Sequence, residues 1–252
     1  MAEKMGIEER IAHFLRVSQD AAATQAERDT AGQEAERLLA KHAIDRLTLD
    51  VEGARRAEHE PIETGSIVVP GGKGTVSVDV VLGLSAVARS LGLVPYYSDR
   101  RSTDAWRRQP GEDPHVVLSV TGFRSDVALA LPLLESLQTQ AVLAMRSWWR
   151  GEPRHRGIPK YDAHLARCAF VQSFGVGAAE RLKTARDEAV TTTGAALVVA
   201  SRDAEVRDWV ETNVALRSRR DRRSFSGYGR GQGYAAGLRS TGTARRAVSA
   251  GR

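Results

Sequence analysis

Between Ser125 and Trp149 the residues Val127, Leu131, Leu134, Leu137, Ala141, Met145 and Trp148 recur at intervals of three or four. That is the period of one face of an α-helix, and a segment of this length makes about seven turns. A stripe so long has to be buried against another layer, so the fold is built around long helices. Pro132 falls beyond the first turn of a helix begun at Ser125, which predicts a kink or a later start. A second long segment, from Lys160 to Ala189, carries Tyr161, Leu165, Cys168, Ala169, Gln172, Val176, Ala179 and Leu182 on one face. Gly175 and Gly177 interrupt it at a cost of about 1 kcal/mol each relative to alanine, which predicts close approach of a neighbouring helix.

Shorter elements surround these two. Residues 5–18 set Ile7, Ile11, Phe14, Leu15 and Val17 mostly on one helical face. A second helix starts at Thr24, which forms a capping box with Glu27, and continues through Ala31, Ala35, Leu38, Leu39 and His42 to Ile44-Asp45. Ser66–Val69 is a β-type run stopped by Pro70-Gly71-Gly72. Asp79 can cap a helix running through Val80, Val81, Leu84, Val87, Ala88 and Leu91, with Gly92 at its C-terminal position. Leu93–Ser98 and His115–Thr121 read as strands on either side of a charged loop, Asp99–Pro114. Ala195–Ala200 reads as another short strand, and Asp203–Leu216 as a last helix carrying Trp209. Strands and helices do not alternate strictly, so the expected class is α+β, predominantly helical, with a small sheet packed against long helices. The expected division is a helical hairpin module at 1–46, a linker at 47–65, an α+β domain at 66–216 and a flexible, disordered basic tail at 217–252.

From Glu9 to Asp45 the chain reads ERIAHFL and then AGQEAERLLAKHAID. This resembles the helical module known as domain of unknown function 2786, found in bacteria, especially actinobacteria, and their phages. Glu34, Ala35, Leu38, His42, Ile44 and Asp45 stand where that pattern has them. The later pieces TGFRSDVALALPLLESL, SFGVGAAERL and GYGRGQGYAAGLR resemble the companion region of such proteins. The resemblance implies the helical module and its neighbour; it brings no activity.

No catalytic motif is present. The histidines at 13, 42, 59, 115, 155 and 164 are scattered without an H-E-x-x-H. His164 and Cys168 are one turn apart, but zinc would need further ligands and nothing nearby supplies a clean second pair, so packing is the expected role and no metal or cofactor is expected. Pro70-Gly71-Gly72-Lys73-Gly74-Thr75 misses the phosphate-loop spacing because Gly74 follows Lys73, and a glycine turn feeding strand-like Val76–Val78 is preferred. Gly229-x-Gly231-x-Gly233 follows no strand and fails as a dinucleotide fingerprint. There is no G-x-S-x-G, and Cys168, mid-helix on the apolar stripe, is expected to be inert. As the sole cysteine it excludes a disulfide scaffold. With no apolar run approaching the roughly 18 residues of a membrane span and no apolar core in MAEKMGIEER, a soluble cytoplasmic protein is expected, without a membrane partner.

Charge is the informative signal once located. Ten arginines and a single acid, Asp221, lie between Arg217 and Arg252, so this tail carries +9 and the rest −3 against a total of +6. Arg217, Arg219, Arg220, Arg222, Arg223, Arg230 and Arg239, interleaved with Phe225, Tyr228 and Tyr234, are the expected nucleic-acid contacts. Arginine neutralises phosphates and stacks on bases, and aromatic rings stack whatever the sequence. In the loop holding Arg100, Arg101, Trp106, Arg107 and Arg108, the acids Asp99, Asp104, Glu112 and Asp113 partly cancel the charge. A third basic-aromatic stretch is Trp148-Trp149-Arg150 followed by Arg154-His155-Arg156 and Lys160. Neighbouring helical residues point about 100° apart, so Trp148 is assigned to the core and Trp149 to an exposed or interface position. The expected function is that of a non-enzymatic accessory protein binding nucleic acid non-specifically through the tail. The alternatives are a phage-derived or actinobacterial assembly protein using Trp149 and its helical faces, and an enzyme with an unrecognised site around His155, His164 and Cys168.

Overall fold

The computed structural model describes residues 7–20, 22–24, 27–28, 30–32, 34–35, 38, 60–72, 74–101, 113–193, 196–216 and 227–240. The class is α+β and predominantly helical. In chain order the elements are α1 (Ile7–Gln19), β1 (Ile62–Pro70), α2 (Ser77–Ser90), β2 (Val94–Arg100), β3 (His115–Phe123), α3 (Arg124–Gly151), a 3-10 turn (Pro153–Gly157), α4 (Lys160–Thr193), α5 (Ala196–Asn213) and α6 (Arg230–Ser240). A further helical stretch lies within residues 27–38.

The sheet has the order β1-β3-β2, with both outer strands antiparallel to β3. β1 and β2 are therefore parallel to each other, joined by α2, with the last strand inserted between them. Ile67, Val69, Val116, Leu118 and Val120 point to one face and are buried against α2 and α3. The alternate residues form hydroxyl pairs on the other face: Thr64 with Thr121 at 2.7 Å and Ser66 with Ser119 at 3.0 Å. That pairing explains why β1 begins at Ile62, earlier than the expected Ser66. Polar residues on a face not given to the core look like linker composition, so residues 62–65, assigned to the linker, belong to the strand.

α2 ends in a Schellman motif: Gly92 has φ +86°, Gly92 N–H donates to Arg89 C=O, and Leu93 N–H to Ala88 C=O. Its start differs from expectation. Val76 is the N-cap and Ser77 already helical, because Ser77 Oγ donates to Pro70 C=O at 2.9 Å and turns the chain there. Val76–Val78 is thus the beginning of a helix, not a strand, and Asp79 sits in its first turn. Residues 196–200 are likewise helical. The Val198-Val199 pair is too short to outweigh the helix formers Ala196, Leu197 and Ala200 around it.

α3 runs without a later start through Pro132. An 18-residue window of it reaches a mean hydropathy of 1.4, long and apolar enough to cross a membrane, contrary to the expectation that no apolar stretch approaches that length. Its buried face, Val127, Ala130, Leu134, Leu137, Ala141 and Met145, belongs to the protein core. Truncating a side chain as buried as Leu134 or Leu137 to alanine costs about 2–5 kcal/mol.

The Thr24–Glu27 capping box is formed, with Glu27 N–H on Thr24 Oγ1 at 3.3 Å and Thr24 N–H on Glu27 Oε2 at 2.8 Å. Ile11, Leu15, Ala35 and Leu38 join the same cluster as Leu134 and Val81, and buried Ser18 meets Ser136, Oγ to Oγ, at 3.2 Å.

The expectation of a flexible tail fails for residues 227–240, which fold onto α4. Gly229, Gly233 and Gly237 recur every fourth residue, and a β-carbon on each would lie 2.5, 2.1 and 2.0 Å from the carbonyl oxygens of Ala166, Phe170 and Phe174. Those α4 residues share the same spacing, so the two helices mesh turn by turn. Gly177 returns the contact against Tyr234 C=O. Low apolar content argued against packing, but glycine lets backbones touch and so buries surface without large side chains.

Candidate nucleic-acid interface

Four pieces of chain converge at the C-terminal end of α3. The last turn of α3 presents Trp148 and Trp149, the 3-10 turn folds His155 back beneath them, and the start of α4 supplies Arg167 and Phe170. The segment leading into α6 brings Tyr228. Trp148 stacks on Phe170 with centroids 4.9 Å apart and planes at 20°, and meets His155 edge-on at 4.8 Å. Trp149 lies flat on His155, 4.0 Å away at 9°, and the Arg167 guanidinium sits 5.4 Å over its ring. Trp148 and Trp149 are both partly buried: Trp148 packs against the core, and Trp149 is engaged because its ring covers the histidine.

His155 is only 5% exposed. Its Nδ1 is 2.8 Å from Trp149 C=O and its Nε2 2.6 Å from Tyr228 Oη. A carbonyl can only accept, so Nδ1 carries a proton, and Nε2 and the Tyr228 hydroxyl share the second hydrogen bond. Both nitrogens of a buried ring are thereby satisfied. Around this cluster Arg146 and Arg150 on α3, Arg156 in the turn, Lys160 on α4 and Arg230 on α6 are exposed, with Glu152 and Asp162 as the nearby acids in sequence. Tyr161 is 71% exposed and Tyr228 40%. The arrangement offers cations at several points of one end of the molecule and two accessible aromatic rings, the equipment for phosphate contact and base stacking.

Of the residues singled out in the sequence, Tyr228 and Arg230 are brought to this end. Tyr234 is not available in the same way: its hydroxyl donates to Glu180 at 2.5 Å, and that bond holds the phenol above its usual range. Arg239 is exposed near the end of α6. Arg217, Arg219, Arg220, Arg222, Arg223 and Phe225 lie outside the described residues, as do Trp106, Arg107 and Arg108. Arg101 is held by Asp99 through two bonds of 2.8 Å, which raises its pKa. After β1, Thr75 Oγ1 donates to Gly72 C=O at 2.7 Å and φ is positive at Gly71 and Gly74. Cys168 is 1% exposed, its sulfur 3.5 Å from His164 Nε2. Among the described residues no group of three or more His, Cys, Asp or Glu is placed to hold a metal ion.

The Tyr228–His155 contact spans 73 residues of sequence, and no local pattern announces it. The four-residue glycine spacing was the legible hint that this segment packs.

Two other charged regions differ in kind. Arg202 joins Asp126 at 3.0 Å and Glu60 at 3.5 Å while lying over the Phe123 ring at 3.7 Å, so it ties α5 to the outer face of the sheet. Burial raises the Asp126 pKa more than Arg202 lowers it. An open groove of about 580 Å³ beside Ile62 and Trp209 is lined by Glu205 and Asp208, the wrong sign for phosphate. No family model matches this chain, nor does any curated protein or solved structure.

Proposed function

We propose that this chain is a cytoplasmic accessory protein that binds nucleic acid through its phosphate backbone, reads no sequence and performs no chemistry of its own. The folded part of the contact surface is the basic-aromatic end around His155, and Arg217, Arg219, Arg220, Arg222 and Arg223 add phosphate contacts. The observation that carries this reading is the convergence of exposed Arg146, Arg150, Arg156, Lys160 and Arg230 on one end that also presents Tyr161 and Tyr228. Cations beside accessible rings suit single strands, whose bases are free to stack. Membership of the domain of unknown function 2786 family belongs to the same proposal, on the residues from Glu9 to Asp45.

A salt titration against an oligothymidylate of about 20 nucleotides tests the reading. Each neutralised phosphate contributes about −0.7 to the slope of log affinity against log salt on a single strand. Replacing Arg150, Arg156 and Arg230 by alanine should flatten the slope by about two units, and replacing Arg219, Arg220, Arg222 and Arg223 by about three. Mixed-sequence oligonucleotides of the same length should bind alike whatever their base order. No binding by the unmodified protein at about 50 mM salt would end the proposal.

A further inference from the structure

We propose that the free edge of β1 is where two copies of this chain pair, strand to strand and antiparallel, joining two three-stranded sheets into one of six. The proposal is independent of the nucleic-acid reading. Arg124 N–H donates to Pro61 C=O and Gly71 N–H to Pro114 C=O, one bond at each end of the β1–β3 ladder. These bonds fix the alternation. The odd-numbered residues of β1 turn their backbone groups to β3, and Thr64, Ser66 and Val68 turn theirs to the open side. Among the described residues Gln138 alone reaches these groups, its side-chain amide donating to Val68 C=O at 3.4 Å.

The two edges of the sheet are built differently. A sheet that stays single blunts its edges with proline, charge or cover. β2 is blunted: Val94, Tyr96, Ser98 and Arg100 bond to β3, which leaves Pro95, Tyr97 and Asp99 outward. Pro95 has no N–H to offer, and Asp99 spends its carboxylate on Arg101. β1 carries no charge from Thr64 to Pro70 and no proline before its last residue, and Val68 stands on it 56% exposed.

A second copy matches this edge. Ser66 is the midpoint of Ile62–Pro70, so a two-fold axis through it uses the whole strand. Ser66 then opposes the partner's Ser66, and Val68 opposes the partner's Thr64, a β-branched pair across the strands. Val68 C=O has a second lone pair for the partner's Thr64 N–H beside the Gln138 bond. Glu63, bonded to Arg124, lies toward one end of the strand, so antiparallel pairing keeps it away from the partner's Glu63. One free edge and one blunted edge close the assembly at two copies. Nine residues span about 30 Å, and edge pairing of that length buries roughly 300 Å² per copy, under half of the usual ~800 Å². The dimer therefore has a dissociation constant in the micromolar range.

Sedimentation of the full chain, stripped of nucleic acid, at about 2 to about 200 μM tests the proposal across that range. The mass should climb from 27.4 kDa toward twice that value. Over the same range amide exchange at Thr64, Ser66 and Val68 should slow, and exchange at Tyr97 should not change. Ser66→Pro removes an outward N–H and leaves the β3 ladder intact, so it should stay a monomer throughout. Ser66→Lys and Ser66→Glu oppose like charges across the axis, and each should dimerise roughly fivefold more weakly. Mixed together, these two variants should pair with each other more tightly than either does with itself. A mass fixed at 27.4 kDa overturns the proposal. So does a Ser66→Pro dimer of unchanged affinity, or a Lys/Glu mixture that pairs no better than its components. Slow exchange of the Thr64 and Ser66 amides in the monomer also overturns it, because another part of the same chain then covers the edge. If Ser66→Pro lacks a cooperative thermal transition, the Lys/Glu mixture decides.

Discussion

Gly83 on α2 and Gly175 on α4 meet backbone to backbone: a β-carbon on Gly175 would fall 2.3 Å from the carbonyl carbon of Gly83. Neither backbone can give way by moving a flexible side chain. Gly175→Ala should therefore destabilise the protein by about 1–3 kcal/mol, despite the gain in helix propensity. The control is Gly231→Ala on α6, where an added β-carbon meets nothing within 4 Å. It should be neutral or stabilising by up to about 1 kcal/mol. Urea unfolding of both variants checks the pair, and equal behaviour would mean that the helices are not in contact.

The glycines of α6 give the second prediction. Gly233→Ala and Gly237→Ala each push a methyl group onto an α4 carbonyl, so either should lift α6 from α4. A chain ending at Leu216 should still unfold cooperatively, because the core cluster draws on α1 to α4 and the sheet. Its Tm should nevertheless fall by roughly 10 °C, as several kcal/mol are lost at about 2–4 °C per kcal/mol for a chain of this size. A chain ending at Ser240 should melt like the full length. Identical melting of all three would mean that α6 contributes nothing to the fold.

Asp126 supplies a prediction in pH. Burial, the larger influence, raises its pKa above the ordinary 3.8, and Arg202 opposes the rise. The folded state then binds a proton more readily than the unfolded chain, so this group weakens stability at neutral pH and the penalty is relieved as pH falls toward its raised value. Asp126→Asn lacks that titration. The stability of the unmodified protein relative to Asp126→Asn should rise as pH drops from 7 toward 4. A relative stability that falls over that interval would mean that Arg202 dominates.

Cys168 should react slowly with a thiol reagent in the native state and quickly in denaturant. It is buried, with His164 Nε2 3.5 Å from its sulfur. Rapid native labelling would revive the enzymatic alternative around His164.

What could be read from the chain beforehand was what depends on near neighbours. The Thr24–Glu27 box, the Gly92 terminus of α2 and the stripe of α3 are local patterns with local causes, and all three appear in the structure. Gly175 and Gly177 announced a close contact correctly because a helix tolerates glycine poorly without a reason. Elements decided by distant partners were hidden. Thr64 and Ser66 look like linker until Thr121 and Ser119 stand opposite them, and residues 230–240 look disordered until α4 offers carbonyls at the matching period. At the candidate site the basic and aromatic residues were visible. The buried histidine that joins two of their stretches was not, since Tyr228 is distant in sequence.

The strand order carries a consequence for how the molecule is made. Of the three described strands β3 is the last to leave the ribosome, yet it is the one that both β1 and β2 require as a hydrogen-bonding partner. Until residue 123 has emerged, the nascent chain holds two strands that cannot pair with each other at the spacing the finished sheet imposes. Their amide and carbonyl groups then face solvent along both edges of an empty slot. Neither outer strand can complete its ladder before β3 is available, and unpaired strand edges of this kind are the groups through which chains associate wrongly.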